Sequence, residues 1–391
     1  MPMRLFGIGP VTALIWISCA ALLIAYRRQT FARTMLQWWP LLLMPMMLFL
    51  SFIWSDAPEI SARYGFQAMI TCVLGVFLAN VLSPTRFAIA MCLGMLVFCV
   101  ASVIDGRQGL AETGMVLIGL TGSKNSMAFA ANMLLSASVA VLFLPGMHRV
   151  LRLLAGVGAL LGIYLVLITA SATAVILSIA LVCLFMVMCV MQRFSPAARG
   201  ATMIVAMLVI SPLAFASDEI TEMVHTFMRE VLHKDPVSMT GRSYFWARAD
   251  ELIAQRPLLG YGFQAIWMGD SSDTLGLLRA AGVSDGRTFN FHHTYRQTAV
   301  DIGLVGAGML VVALVASVIA AIRQFILTPT VATSFIFSFL MITLAKSFTE
   351  LIIGAFTLQT VLLFACCTYA FWRPPPQDQP GRRPPARSAA Y

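Results

Sequence analysis

Apolar runs of about 17–25 residues, the length at which a helix crosses a bilayer, constrain this chain more than any other feature. They fall near residues 10–26, 36–54, 65–83, 87–104, 126–144, 150–169, 173–191, 201–216, 298–321, 329–347 and 351–371. Nothing alternates with the period of an outer-membrane barrel strand. Only 11% of the residues are charged, against roughly 25% in soluble domains. The expected fold is an all-α polytopic membrane protein with about eleven (10–12) transmembrane helices. The first run begins like a signal peptide. However, Arg27, Arg28 and Arg33 follow it with no small-residue cleavage site, so an uncleaved helix is expected. All eight cysteines lie inside apolar runs, as small core residues rather than disulfides or a thiolate metal site.

The net charge is +9, and its distribution matters more than its sum. With the Pro/Arg tail (373–391) in the cytoplasm and the spans alternating, thirteen arginines fall inside, among them Arg27, Arg86, Arg149 and Arg323. The short outer loops keep Arg4, Arg63, Arg107, Lys124 and Lys346. This obeys the positive-inside rule, so the basic excess is an orientation signal and not a nucleic-acid footprint. Sixteen of the seventeen acids then face outward. Between helices 1–8 (1–216) and helices 9–11 (298–372) lies one long outer loop, 217–297, holding ten acids, eight basic residues and four of the five histidines. A loop of that length is usually functional. Chemistry facing away from the cytoplasm argues against ATP and nucleotide sugars as direct substrates.

Within that loop, residues 217–236 space their apolar side chains as an amphipathic helix, lying either on the membrane surface or against other loop elements. His225 and His233 read as its polar face. Next comes MTGRSYFWARADELIAQRPLLGYGF, a second helix capped by Thr240 and stopped by Pro257. Arg242 falls in its first turn, where a cation opposes the macrodipole. It either helps to bind an anion there or pairs with Glu251 or another acid. GYGF is a tight turn bearing Tyr261. In FHHTYRQTAVDIGLVG, His292 and Arg296 are four apart and share a face if helix already begins there. That is either a proton acceptor beside an anion-holding guanidinium or a set of interfacial anchors with Tyr295. Adjacent histidines point apart, so no metal site is expected. Further outer loops carry WSDAPEISAR with Arg63, GLTGSKN with Lys124 and Asn125, and the SAT hairpin near 171–173. Lys346 and Glu350 read as an i, i+4 pair.

WSDAP, GLTGSKN, SAT, TGRSYFW, PLLGYGF and a histidine followed eleven residues on by GLVG occur in this order over about residues 50–310. This set resembles the O-antigen ligase and O-antigen/exopolysaccharide polymerase family, and DPVSMTGR with SAT leans towards its exopolysaccharide-polymerase branch. The resemblance implies a GT-C-like glycosyltransferase of the bacterial inner membrane. Its long loop would be periplasmic, its C-terminus cytoplasmic and its donor an undecaprenyl-diphosphate-linked oligosaccharide.

By the same resemblance His292 is the functional histidine, and His293 stands where the family usually has Asn. Gly303 and Gly306 complete the GxxG, and Arg242 matches the GR(S/T) arginine. Ala172 stands where ligases carry an arginine, which leaves Arg296 or Lys124 as the second phosphate contact. His293, Asn125, Arg63 and Tyr261 complete the substrate-contacting set. No cofactor or metal is implied. The implied partners are membrane lipids and the chain-length regulator and export proteins of the same pathway. The expected function is polysaccharide polymerisation. An O-antigen ligase acting on lipid A core is the near alternative, and a glycan transporter the distant one.

Overall fold

The computed structural model describes residues 9–111, 114–169, 171–215, 226, 240–283 and 289–373. The expected amphipathic segment 217–236, most of the DPVSMTGR lead-in and the tail from 374 lie outside the described residues. A helix stands on each expected apolar run: α1 Gly9–Tyr26, α2 Arg28–Leu50, α3 Pro58–Val81 and α4 Pro84–Asp105, then α5 Lys124–Phe143, α6 Arg149–Ile168, α7 Ala172–Met191 and α8 Pro196–Phe215. Among the described residues, seven helices are long and apolar enough to cross a membrane. Trp16–Tyr26, Pro196–Leu208, Val331–Lys346 and Leu358–Tyr369 are apolar but shorter.

The loop after α8 contributes α9 Thr240–Gln255, α10 Ala265–Met268 and α11 Ser272–Ala280. The chain then closes with α12 Thr294–Leu327, α13 Val331–Lys346 and α14 Leu358–Tyr369. An antiparallel hairpin, β1 Gln108–Ala111 and β2 Gly114–Leu117, departs from the all-α expectation. It is short and lies between α4 and α5, where its backbone pairs within itself.

Apolar character inside lipid supplies little force between helices, so close packing must do so. α5, the most enclosed of the long helices, is lined with small residues including Ala131, Ala137, Ser138 and Ala140, all fully buried. Gly158 and Gly162 of α6 let it press against this surface. A Cβ on either would lie 2.5 Å from Ser138 Oγ or 2.9 Å from the Leu135 backbone nitrogen. Cys72, Cys92, Cys99, Cys366 and Cys367 are core residues as expected, whereas Cys183 is exposed.

The last expected run begins differently from a continuous span. Residues 351–357 are not helical, and α14 has only 12 residues, about 18 Å at 1.5 Å per residue. The non-helical stretch buries Ile352, Ile353 and Phe356, and its backbone is satisfied from neighbouring side chains: Phe356 N–H donates to Thr71 Oγ1 (2.9 Å) and Gly354 N–H to Thr360 Oγ1 (2.8 Å). This loop, together with α9–α11 and the start of α12, forms one end of the bundle.

Candidate active site

α12 starts at Thr294, and His293 is its N-cap, its Nδ1 accepting from the Arg296 backbone N–H at 3.3 Å. His292 therefore lies outside the helix, with φ of 51° and its own N–H donating to Asn290 Oδ1 at 2.7 Å. Left-handed backbone in a non-glycine residue costs on the order of 1 kcal/mol or more. It turns the imidazole away from α12, so His292 and Arg296 do not share a helical face. The four-residue spacing misled because the helix begins two residues too late.

His292 turns instead towards Glu350. Its Nδ1 lies 3.1 Å from Glu350 Oε2, while Oε1 of the same carboxylate accepts from Arg242 Nη2 at 3.0 Å. Arg242 Nη1 also donates to the Thr349 carbonyl at 3.1 Å. Three distant segments thus meet on one carboxylate. Thr294 holds the geometry. Its N–H donates to Ser347 O (2.9 Å), and its Oγ1 donates to Glu350 O (2.7 Å) and accepts from Ile352 N–H (3.1 Å).

Burial opposes ionisation of Glu350. The hydrogen bond with His292 and the charges of Arg242 and Lys346 outweigh that and hold the carboxyl below its usual range. An ionised carboxylate only accepts, so Nδ1 is the donor in this pair, and the neutral form of such an imidazole has its lone pair on Nε2. The side chains of Arg242, His292 and Glu350 are 28%, 22% and 20% exposed, within reach of a ligand.

A second pair lies alongside. Arg296 grips Asp250 through Nε (2.8 Å) and Nη2 (3.1 Å), with its guanidinium 5.2 Å from the Trp246 ring centre. Trp246 Nε1 donates to the Phe291 carbonyl (3.0 Å), next to His292. Burial, then the charge of Arg296, shifts the His293 imidazole towards its neutral form. Lys346 does not make the expected pair with Glu350. Glu350 does lie one turn on, its N–H donating to the Lys346 carbonyl at 2.9 Å, but the ammonium turns aside, 3.3 Å from Gln359 Oε1 and 3.6 Å from the Phe129 ring centre. Arg63 is exposed and lies over Tyr64 (5.5 Å). Lys124 and Asn125 open α5 behind the Ser123 cap. Among the described residues, no hydrogen bond or ion pair ties these three to the Glu350 cluster.

Residues 157–311 match the family model described as O-antigen ligase. One relative, the exopolysaccharide production protein ExoQ of Rhizobium meliloti (strain 1021), is 25% identical over 281 residues, or 70% of this chain. The chain spans 63% of that relative's length. Both matches fit the O-antigen ligase and exopolysaccharide-polymerase family that the motifs resemble. The matched segment includes Arg242, His292, Gly303 and Gly306, and ends before Glu350.

Most of the family-like motifs serve as scaffold for that cluster. α12 breaks at Ile302–Gly303, where Gly303 has φ 70° and ψ −179°. The freed backbone pairs with PLLGYGF: Tyr261 N–H to Val300 O (2.9 Å), Gly262 N–H to Asp301 O (2.8 Å) and Leu304 N–H to Pro257 O (2.7 Å). WSDAP closes the other side. Trp54 Nε1 donates to Leu259 O (2.7 Å), Asp56 N–H donates to Tyr261 O (3.1 Å) and Arg256 pairs with Asp56 (2.6 Å). Tyr261 itself is buried with its hydroxyl on Gln255 (2.8 Å), inside the scaffold.

Beneath His292, fully buried Gln297 accepts from Trp267 Nε1 (3.0 Å) and Phe291 N–H (3.2 Å), and donates to Asp301 (2.9 Å). Sequence reading passed over Gln297 and Asp301 because a polar residue in an apolar run announces no partner. It took Glu350 only as a helical neighbour of Lys346.

Proposed function

We propose that the protein is a glycosyltransferase that polymerises cell-surface polysaccharide, using undecaprenyl-diphosphate-linked units at the periplasmic face of the bacterial inner membrane. The observation that carries this reading is the Glu350 carboxylate, which holds His292 through one oxygen and Arg242 through the other. His292 Nε2 takes the proton from a sugar hydroxyl as that oxygen attacks the anomeric carbon of the donor. The bond from that carbon to the diphosphate breaks, and the lipid diphosphate leaves with the electron pair. Glu350 then faces an imidazolium it stabilises, the role a carboxylate plays behind a catalytic histidine elsewhere.

Arg242 uses two of its five N–H donors on Glu350 and Thr349, leaving three for the departing diphosphate. Arg296, Lys346 and Arg242 face two carboxylates, Asp250 and Glu350, which leaves a net positive neighbourhood for that leaving group. The N-cap role of His293 accounts for its standing where the family usually has Asn, since both present an acceptor to the first turn. His292 is accordingly the base.

Transfer onto lipid A core is the second reading, favoured by the O-antigen ligase description of the matched model. Exopolysaccharide production, named in the relative, supports the first. Purified protein in liposomes, given undecaprenyl-diphosphate oligosaccharide in EDTA, tests both readings. A ladder of longer lipid-linked glycans, lost in His292→Ala and Arg242→Ala, is the expected result. Transfer only when lipid A core is added would make the protein a ligase, and no transfer in either case would overturn the proposal.

A further inference from the structure

α9 has two polar faces, and the candidate active site uses one of them. At about 100° per residue, Arg242, Trp246 and Asp250 lie on one side of its buried stripe of Phe245, Ala249 and Leu252. Tyr244, Arg248 and Glu251 lie on the other. There, between α9 and α11, a cleft of about 380 Å³ opens, with Ser272, Asp273 and Gly276 on its far wall and buried Leu277 at its floor. That volume falls within the roughly 300–1,000 Å³ of small-ligand sites.

The groups in this cleft are of the kinds that hold sugars. Arg248 joins Glu251 and Asp273 (2.5 Å to the latter), which fixes all three in place and leaves three of the five guanidinium N–H groups for a ligand. Each carboxylate keeps an oxygen that can accept from a hydroxyl. Tyr244 is 51% exposed, with its neighbour Phe245 set against it at 5.6 Å between ring centres. It offers a fixed aromatic face for the C–H side of a pyranose. Two carboxylates against one guanidinium make the cleft net negative, so it disfavours phosphate and acidic sugars. A Cβ on Gly276 would meet no heavy atom within 4 Å, so the glycine leaves open space in the wall.

We propose that this cleft is an accessory subsite for a neutral, hydroxyl-rich stretch of glycan, namely the part of the growing chain remote from its reacting end. The proposal rests on the polymerase reading. Arg248 lies six residues, about 9 Å of helix rise, from Arg242, so a chain that reacts on one face of α9 reaches the cleft on the other. Holding the chain there keeps it on the enzyme between transfers and lengthens the product.

The test uses the liposome assay with full-length protein, reading the first transfer and the mean product length separately. Gly276→Phe fills the cleft and Tyr244→Ala removes its aromatic wall. Both are expected to shorten the mean product about fivefold or more, the effect of losing roughly one hydrogen-bond-sized contact, while the first transfer continues. Unchanged length in both variants would overturn the subsite. So would loss of the first transfer with an unchanged melting temperature, because the cleft would then belong to the reaction itself. Should Gly276→Phe lower the melting temperature, Tyr244→Ala decides. A wild type that makes no ladder refutes the polymerase reading instead, a distinct result.

Discussion

Replacing Glu350 by glutamine tests the site's central feature with almost no change in volume. The carboxylate now accepts from Arg242 at 3.0 Å and from His292 at 3.1 Å, one partner per oxygen. A carboxamide has a single oxygen, so only one partner can keep its acceptor. If the oxygen stays with Arg242, the amide NH₂ faces Nδ1, which must then accept. The imidazole proton moves to Nε2, and no lone pair is left for the sugar hydroxyl. If the oxygen turns to His292, the NH₂ meets the guanidinium, donor against donor.

A hydrogen bond to a charged group contributes about 1.5–3 kcal/mol, so loss of orientation alone costs roughly 10- to 150-fold in rate. The wrong tautomer can extend this towards about 10⁴-fold, the effect of the corresponding change in a serine-protease triad. Single-turnover transfer from a lipid-diphosphate donor measures the rate, and donor binding measured separately isolates the chemical step. Glu350→Gln transferring within threefold of wild type would refute the role assigned to Glu350.

Arg242→Lys keeps the charge but not the fork that spans Glu350 and Thr349, and a roughly 10- to 100-fold loss of transfer is expected; a rate above half of wild type would count against a leaving-group role. His293 is neutral-favouring in the fold, so its folded pKa lies below the unfolded value of about 6.5. Stability from it is full above that pH and falls as pH drops through the lowered folded value, when the ring also ceases to accept the Arg296 N–H. Melting curves between pH 7.5 and 5 should show this in wild type and lose it in His293→Asn, which keeps the cap; identical pH dependence in both would contradict the capping role. Gly303→Ala puts a Cβ 2.0 Å from the Leu258 carbonyl oxygen at φ 70°, and a stability loss of about 3 kcal/mol or more is expected, read as a lowered melting temperature. A melting temperature equal to wild type would show that the chain repacks there.

The readings that held were those in which residues interact with near neighbours or with solvent. Apart from residues 351–357, the apolar runs became helices because in lipid a segment must satisfy its own backbone polar groups, a condition that length and hydropathy report. α9, Thr240–Gln255, was readable because an apolar stripe and a stopping proline are local signals. Arg242 was readable as misplaced against its helix dipole, and either of its two predicted roles required a negative partner.

That partner was not readable, since Glu350 lies 108 residues from Arg242 and 58 from His292. Nor was the local backbone at the histidines. Moving the start of α12 by two residues exchanges a shared face with Arg296 for a turn towards Glu350, and the His293 cap together with the Thr294 bonds to 347–352 fixes that start. GLVG and PLLGYGF each read as a weak glycine motif alone. Their function is mutual, because a broken helix leaves backbone donors and acceptors that another segment must satisfy. Composition and periodicity thus determined which segments are helices and which end of the chain holds the titratable groups. Tertiary packing alone decided which carboxylate joins which histidine and arginine, because contacts between distant segments leave no period in the sequence.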